Sequence, residues 1–328
     1  MREPETLQEA IEYFADYQNC HNFLVAIRWP QGVTCPHCGS QRVRYMASVR
    51  RWQCYEKHPR PQFSLKTGSI FEDSPIVLKK WLAAMWLIVN AKNGISSYEI
   101  HRGIGVTQKS AWFMAHRIRT ALHTGCFERM LGDGGEEVEV DETFIGGKAR
   151  NMHADVKARR ITGRGPTDKT VVLGMLERGG IVRTEVVRNR RKNTLHHSIK
   201  ETVAAGTALY SDDLASYDGL NREYAHQTVN HAIRYVEGRV HTNGLENFWS
   251  LLKRGLTGTY VSVEPFHLHR YLDEQAYRFN ERKGDDWDRF YRAVKGIFGK
   301  RLTYDRLRGR VRTRGPKHGG ATPASAPA

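Results

Sequence analysis

The sequence predicts an α/β domain over residues 135–284, with a helical segment and two small modules ahead of it and a basic extension behind it. Three observations support this prediction. Strand and helix patterns follow a defined order within residues 135–284. A Cys-x-x-Cys pair stands near the start of the chain. Two helix patterns joined by a glycine turn precede a glycine-rich joint at residues 132–135, where we place a domain boundary.

The composition indicates a folded protein that binds a polyanion. Its 328 residues include 51 Lys and Arg against 35 Asp and Glu, a formal net charge of +16. DNA, RNA and anionic membranes are the usual partners of so basic a protein. The longest apolar run, Trp81 to Val89, is too short to span a membrane, and the N-terminus lacks a signal-peptide pattern. We therefore expect a cytoplasmic protein, and the five cysteines, two of them in one Cys-x-x-Cys, suggest a reducing compartment and metal binding in preference to disulfides.

The first two modules are a helical segment and a metal-binding ribbon. Residues 1–30 carry apolar side chains at roughly helical spacing, until Trp29 and Pro30 break the pattern. Residues 31–74 contain a Cys-x-x-Cys knuckle and, sixteen residues later, a second pair of soft ligands, which is the spacing of a zinc ribbon. Four ligands without an obvious fifth predict one structural Zn²⁺, and two free cysteines beside an incidental histidine are the alternative. The predicted ligands are Cys35, Cys38, Cys54 and His58.

Residues 75–131 match the pattern of a helix-turn-helix DNA reader. An apolar helix from Ile76 to about Ala91 leads to a capping box at Ser96, a glycine turn, and a longer helix over residues 108–122 capped by Thr107. We expect the basic side chains of the longer helix on an outer face that contacts DNA; a plain helical connector with a solvated basic face is the alternative. These side chains are Lys109, His116, Arg117 and Arg119.

The order of elements in residues 135–284 describes a ribonuclease-H-like fold. A strand ending at Asp141 is followed by a hairpin over residues 169–187 and a helix over about 194–205. A buried strand then ends at Asp212, a short strand covers residues 227–230, and a long helix begins near Asn243. A further amphipathic helix over residues 268–280 closes the domain. Residues 150–168 lack periodicity and predict a mobile loop over the site.

Three acids of this domain are candidate metal ligands: Asp141, Asp212 and Glu246. They can converge because adjacent strands lie about 5 Å apart and a helix packs across them. Such a cluster would hold two Mg²⁺ or Mn²⁺ ions for in-line phosphoryl displacement. Taken alone, the strand at Asp141 could also be a solvated acidic face. Two helical turns after Glu246, Lys253 can touch a phosphate, and the DNA contacts expected on this helix are Asn243, Trp249, Lys253 and Arg254.

In combination these features resemble a D-D-E transposase of a small bacterial insertion sequence, in the subgroup with an N-terminal zinc ribbon. The resemblance implies that the acids hold the metals for DNA strand cleavage and strand transfer. The family usually closes its ribbon with a second Cys-x-x-Cys, and some relatives use Asn as third ligand, so Asn243 stays a reserve for Glu246. The matching pieces are residues 28–30 and 35–38, 67–71, 140–148, Ser211, Asp212 and Tyr217, and His241, Thr242, Asn243, Glu246, Trp249 and Lys253.

The predicted function is therefore that of an insertion-sequence transposase, which binds double-stranded DNA at its element's ends and at the target. Pairing two ends implies a homo-oligomer, and the substrate implies a place at the nucleoid in the cytoplasm. The alternatives are a catalytically inactive DNA-binding regulator derived from a transposase, and a nuclease for RNA–DNA hybrids. Residues 285–328 predict a basic extension, disordered at its end, whose arginines between Arg306 and Arg314 attract phosphate or serve only solubility.

Overall fold

The computed structural model describes residues 3–123, 129–147, 153–160, 169–229 and 241–310. The N-terminal elements are α1 (Leu7–Tyr13), α2 (Tyr17–Arg28), β1 (Val43–Met46), β2 (Arg51–Cys54), β3 (Gln62–Phe63), α3 (Leu78–Asn90), α4 (Ser97–Ile104) and α5 (Gln108–Leu122). The elements that follow are β4 (Val138–Ile145), α6 (Ala154–Arg160), β5 (Thr170–Glu177), β6 (Val182–Val187), α7 (Lys192–Thr202), β7 (Ala208–Asp212), β8 (Ala225–Val229), α8 (Asn243–Gly258), α9 (Leu268–Asn280), α10 (Asp286–Lys295) and α11 (Tyr304–Leu307).

The large sheet has the predicted ribonuclease-H-like topology. Its strand order is β6-β5-β4-β7-β8, in which β5 runs antiparallel to both β6 and β4, and β7 and β8 run parallel to β4. Helix α7 packs on one face, where Val138 and Val140 of β4 are buried. Helices α8 and α9 pack on the other. Because side chains alternate along a strand, the acids Glu139 and Asp141 point to the α8 face.

The N-terminal ribbon is a small three-stranded antiparallel sheet, β1-β2-β3. The predicted hairpin is present, and Trp52 on β2 is buried against Trp29 and Phe63, with ring centroids 5.3 and 5.7 Å away. Arg28 at the end of α2 donates to the carbonyl of Leu65, after β3, at 2.8 Å. The apolar side of this sheet therefore depends on the end of α2 and on the chain that follows β3.

Helices α1 to α5 share one core with the helix α10 from much later in the chain. Phe290, Ala293 and Val294 of α10 are fully buried in that core, and the Phe290 ring lies 5.2 Å from Trp86 of α3. The predicted caps are present: Ser96 and Glu99 form a capping box at α4, and the Thr107 side chain accepts from the start of α5. The first part of the predicted extension is thus folded into the helical module, while residues 311–328 lie outside the described part of the chain.

The basic outer face predicted for α5 is wrong for three of its four residues. His116, Arg117 and Arg119 are at most 4% exposed, because α9 and the chain after α10 pack over that side of the helix. Arg119 is paired with the buried Glu274 of α9 at 2.5 Å, and burial lowers the pKa of His116 to about 2, helped by the nearby charge of Arg119. These side chains hold the molecule together and are not available to DNA. Lys109 is exposed, as predicted.

Two further expectations concern the loop and the membrane. Within the segment predicted as an irregular loop, residues 154–160 form the helix α6. The residues around α6, 148–152 and 161–168, lie outside the described structure, so the position of the predicted loop over the site stays a prediction. Across the described ranges, no helix has the length and apolar character needed to cross a membrane.

Candidate functional site

The four predicted ribbon ligands come together at one point. The ligand atoms of Cys35, Cys38, Cys54 and His58 all lie within 4.8 Å of one another. The Cys38 and Cys54 sulfurs are 3.7 Å apart, and the Cys35 sulfur is 3.5 Å from Nε2 of His58. Tetrahedral zinc geometry gives about 3.8 Å between two sulfurs and about 3.6 Å between sulfur and nitrogen. The Cys₃His group therefore fits a closed structural zinc site, with His58 in place of a fourth cysteine.

Loss of zinc should unfold the ribbon and leave the large sheet folded. We expect Cys54→Ser to abolish the one zinc equivalent and to expose Trp52, because so small a sheet gains its folding free energy from the metal. Elemental analysis and tryptophan fluorescence measure this. Cys20→Ser is the matched control, since Cys20 is buried outside the cluster and its thiol donates to the Phe14 carbonyl. Protein purified without chelator that holds no zinc would contradict the assignment.

Asp141 and Asp212 lie side by side on two adjacent parallel strands. The prediction that the first strand ends at Asp141 is wrong, because β4 continues beside β5 to Ile145, whereas β7 ends at Asp212 as predicted. The paired residues of β4 and β7 are Val138 with Leu209 and Glu139 with Tyr210. Two residues further along the same register, Asp141 stands beside Asp212. The ladder between β4 and β7 has stopped by then, but the charge of Asp212 still raises the pKa of Asp141, so the two carboxylates lie near each other. The sheet thus brings together two of the three predicted acids.

The environment of Asp141 makes its negative charge costly. Burial raises the pKa of Asp141 to about 7, with further increases from the charges of Glu142 and Asp212, and only the Trp249 hydrogen bond and a backbone N–H oppose them. Carboxylates crowded and desolvated in this way favour either a proton or a cation. Since their oxygens are hard donors, Asp141 and Asp212 fit a Mg²⁺ or Mn²⁺ ion.

Trp249 belongs to this site but does not face solvent. It is 4% exposed, and its indole Nε1 donates to Oδ2 of Asp141 at 2.9 Å. The predicted contact between Trp249 and DNA is therefore wrong. The indole instead fixes the orientation of the Asp141 carboxylate.

A glycine that the sequence analysis did not identify makes room for this indole. Gly174 on β5 is the ladder partner of Asp141. A Cβ at Gly174 would lie 2.5 Å from the Trp249 ring and 3.0 Å from Leu245. Helix α8 thus approaches the sheet directly across from Asp141 because position 174 has no side chain.

Glu142 is a second residue that sequence analysis did not place in the site. Its carboxylate accepts from the Tyr217 hydroxyl at 2.6 Å and lies 4.0 Å from the Arg190 guanidinium. Burial raises the pKa of Glu142, and the charge of Asp212 raises it further. The adjacency of Glu142 to Asp141 in the sequence was the available signal. Glu142 places a third carboxylate near Asp141 and Asp212.

Glu246 lies in the first turn of α8 on an exposed part of the helix, one turn before Trp249. Asn243 at the start of α8, and Lys253 and Arg254 two turns further on, are also exposed. Within the described ranges, the ribbon cluster is the only close group of three or more His, Cys, Asp or Glu. Asp141, Asp212 and Glu246 therefore do not form a closed ligand set in this structure. Glu246 nevertheless lies on α8, the helix whose Trp249 contacts Asp141.

The start of α8 is fixed by a buried carboxylate from the central strand. Glu139, 1% exposed, accepts from the backbone N–H of Leu245 at 3.0 Å and from Nε of Arg178 at 3.0 Å. Arg178 also donates to the carbonyl of His241 at 2.7 Å and to Glu137 at 2.7 Å. This network joins β4, the β5–β6 turn and the residues just before α8.

A second glycine allows this network to form. A Cβ on Gly244 would lie 2.4 Å from Leu176 and 2.8 Å from Oε2 of Glu139. A side chain at position 244 would therefore move the first turn of α8 off the sheet. That turn carries Glu246, so Glu139, Arg178 and Gly244 position a predicted ligand without themselves being ligands.

Comparisons with known proteins agree with this architecture. Residues 132–280 match the ISXO2-like transposase domain, and residues 16–56 match the transposase zinc-ribbon domain. The chain is 28% identical over 258 residues to an uncharacterized protein in the transposable element ISH50 of Halobacterium salinarum, covering 75% of this chain and 85% of that protein. It is 36% identical over 100 residues to an uncharacterized transposase-like protein of Haemophilus influenzae, covering 30% of this chain and 80% of that protein. No solved structure shows significant similarity to the chain.

The family matches cover the three cysteines of the ribbon cluster and the sheet that carries Asp141 and Asp212. The resemblance noted in the sequence is thereby confirmed. The chain belongs to the ISXO2-like transposases that carry an N-terminal transposase zinc ribbon.

Proposed function

We propose that this transposase binds the ends of its own mobile element and catalyses strand cleavage and strand transfer at the sheet edge formed by Asp141 and Asp212. The observation that supports this most is that Asp141 and Asp212 lie near each other on adjacent strands, where burial and the charges of Glu142 and Asp212 raise the pKa of Asp141 to about 7. A fold gains no stability from such crowding, and a site that binds a divalent cation requires it.

Asp141 and Asp212 would hold the catalytic Mg²⁺ or Mn²⁺, with Glu246 as third ligand and Asn243 in reserve. In a two-metal site, the ions activate the attacking oxygen and stabilise the leaving oxygen of an in-line displacement. Trp249 keeps the Asp141 carboxylate in one orientation through its N–H. Lys253, exposed two turns after Glu246, binds a phosphate next to the scissile one, and Arg254 binds the backbone beside it.

The DNA-binding part of the proposal is supported by charge and by the helix-turn-helix geometry. The net charge of +16 supplies phosphate attraction along the whole molecule. Helices α4 and α5 are joined by a glycine turn at Gly105, which has a left-handed φ of 61°. The pairing of two element ends requires at least two protomers, so we propose a homo-oligomer on DNA, at the nucleoid in the cytoplasm.

The test is a cleavage assay with the zinc-loaded full chain. Duplexes that contain the element's end are incubated with Mg²⁺ or Mn²⁺, beside scrambled duplexes of equal length and a matched RNA–DNA hybrid. We expect nicks at the end junction that need the divalent ion and are absent from the scrambled duplex. Specific binding without any nick would favour the inactive regulator, and preferential cutting of the hybrid would favour the nuclease.

A further inference from the structure

A surface that combines aromatic and basic side chains is formed by the first half of α5 and the segment from Thr303 to Arg310. Tyr304 stands at its centre. Its ring lies 5.7 Å from the ring of Phe113, edge to face. The Lys109 ammonium is 5.5 Å from the same ring, and the Arg308 guanidinium is 5.7 Å from it. The segment therefore adds its own aromatic and basic groups directly beside the exposed part of α5.

The surface continues onto the short turn before α9. Trp112, one residue before Phe113, lies 5.7 Å from the His267 ring. Phe266 is 55% exposed, and a Cβ at Gly309 would lie 3.6 Å from its ring. Three stretches distant in the sequence thus meet in one continuous patch.

The segment is held against α5 by buried groups. Leu302 and Leu307 are at most 5% exposed. Arg117 donates through Nε to the Leu302 carbonyl at 3.1 Å, and Lys300 donates to the carbonyl of Thr120 at 3.1 Å. Two basic residues that could have bound DNA instead fasten the segment. Its conformation is therefore set by the protein before any DNA binds.

The charge and the position of the patch fit duplex DNA. Its exposed cations are Lys109, Arg306, Arg308 and Arg310; the acids beside them are Asp305 within the segment and Glu264 before Phe266. Lys109, Trp112 and Phe113 occupy the first two turns of α5. The N-terminal residues of the second helix are those that a helix-turn-helix presents to base edges in the major groove. Arginines flanking such a helix bind phosphates and set its register on the duplex.

We propose that α5 and the Thr303–Arg310 segment form one composite surface that reads the end sequence of the element. This inference rests on the proposed function. Lys109 and the neighbouring aromatic rings contact base edges, Arg306, Arg308 and Arg310 bind phosphates, and Tyr304 positions Lys109 between them. Sequence recognition then requires chain from both ends of the protein.

The test compares Lys109→Ala and Tyr304→Ala with the same two substitutions at a lysine–tyrosine pair outside the patch. Lys295 lies over Tyr291 at 4.6 Å on α10, the same cation–aromatic arrangement outside the patch. Competition binding with end and scrambled duplexes measures the preference. We expect Lys109→Ala to reduce the preference for the end sequence about tenfold or more, as loss of a base contact does. Tyr304→Ala should reduce it in the same direction, and Lys295→Ala and Tyr291→Ala should leave it unchanged.

Arg308→Ala serves as the second arm. This variant should weaken the binding of end and scrambled duplexes equally. It should also lower the slope of log binding constant against log salt concentration by about one unit, as loss of one phosphate contact does. An unchanged preference in Lys109→Ala and Tyr304→Ala, with end cleavage intact in the wild type, would overturn the composite surface alone. A wild-type protein that neither prefers nor cuts the end sequence would overturn the proposed function and this inference with it.

Discussion

Asp141→Asn and Asp212→Asn are each expected to reduce end cleavage below detection while changing DNA affinity by no more than about twofold. In the proposed mechanism cleavage needs both carboxylates as metal ligands, whereas DNA affinity would come mainly from basic contacts to phosphate. Asp213→Asn is the matched control, because Asp213 follows Asp212 directly and is exposed beyond the strand end. Cleavage that survives in either of the first two variants would remove Asp141 and Asp212 from the proposed site.

Asp141→Asn should also stabilise the protein when no Mg²⁺ or Mn²⁺ is added. The pKa of Asp141 is about 7 in the folded protein, owing first to burial, and about 4 in an unfolded chain. The folded state holds the proton more tightly, so stability falls as the pH rises from about 4 to about 7 and the full penalty applies above that range. We expect the variant to have the higher Tm at pH 8, with a smaller difference at pH 5. A variant that is less stable at pH 8 would contradict the assigned cause of the shift.

The third ligand can be identified in the same assay. If Glu246 is the ligand, Glu246→Gln loses cleavage and Asn243→Ala keeps most of it, and the reverse result assigns the role to Asn243. Neither side chain is buried, so both variants should retain the wild-type Tm. This matters because the described structure leaves Glu246 outside a closed ligand set.

Glu139→Ala is expected to cost about 3–5 kcal/mol of unfolding free energy, as removal of one partner from a buried pair does. It leaves Arg178 without its innermost acceptor and the N–H of Leu245 without a cap. Glu137→Ala is the matched control. It removes the other carboxylate on Arg178, but Glu137 is 19% exposed, and a pair this close to solvent contributes about 0–1 kcal/mol. Urea unfolding measures both.

The functional consequence of the Glu139 variant separates positioning from simple instability. Glu139→Gln keeps an acceptor for the Leu245 N–H and should fold, but it loses the charge that holds Arg178. We expect its kcat for cleavage to fall while its KM for end DNA stays near the wild-type value, because α8 still carries Lys253 and Arg254. Equal activity of Glu139→Gln and wild type, measured well below the Tm, would show that Glu139 serves the fold alone.

Structural elements that depend on residues close together in the sequence could be predicted. The capping box at Ser96, the cap at Thr107 and the helix over residues 268–280 depend on neighbours within a few positions, and the structure confirms all three. The zinc ligands could be predicted because the spacing of metal ligands along the chain is itself a local pattern. Asp141 and Asp212 were readable because each directly follows a run of buried strand residues.

What could not be predicted depends on partners distant in the chain. The apolar positions of α5 indicate one buried face, and the structure buries a second, polar one because Glu274 and Leu302 arrive there from more than 150 residues away. From the sequence, Trp249 was expected to contact DNA. The structure shows that its indole N–H instead donates to Asp141. Gly174 and Gly244 carry no pattern at all, since the need for their missing side chains exists only in the packed structure.

The buried ion pair of Arg119 and Glu274 has a consequence for the spacing, on the DNA, between the recognised sequence and the cut. Glu274 also accepts from Arg278 and Tyr260, so α5 is fastened to α9, the helix that packs against the catalytic sheet. If α5 reads the end sequence and the sheet cuts it, as we propose, this buried pair joins the two activities. The number of base pairs between the recognised sequence and the cut would then be set by the protein. We therefore expect an element whose recognised sequence stands at another distance from its terminus to be bound but left uncut.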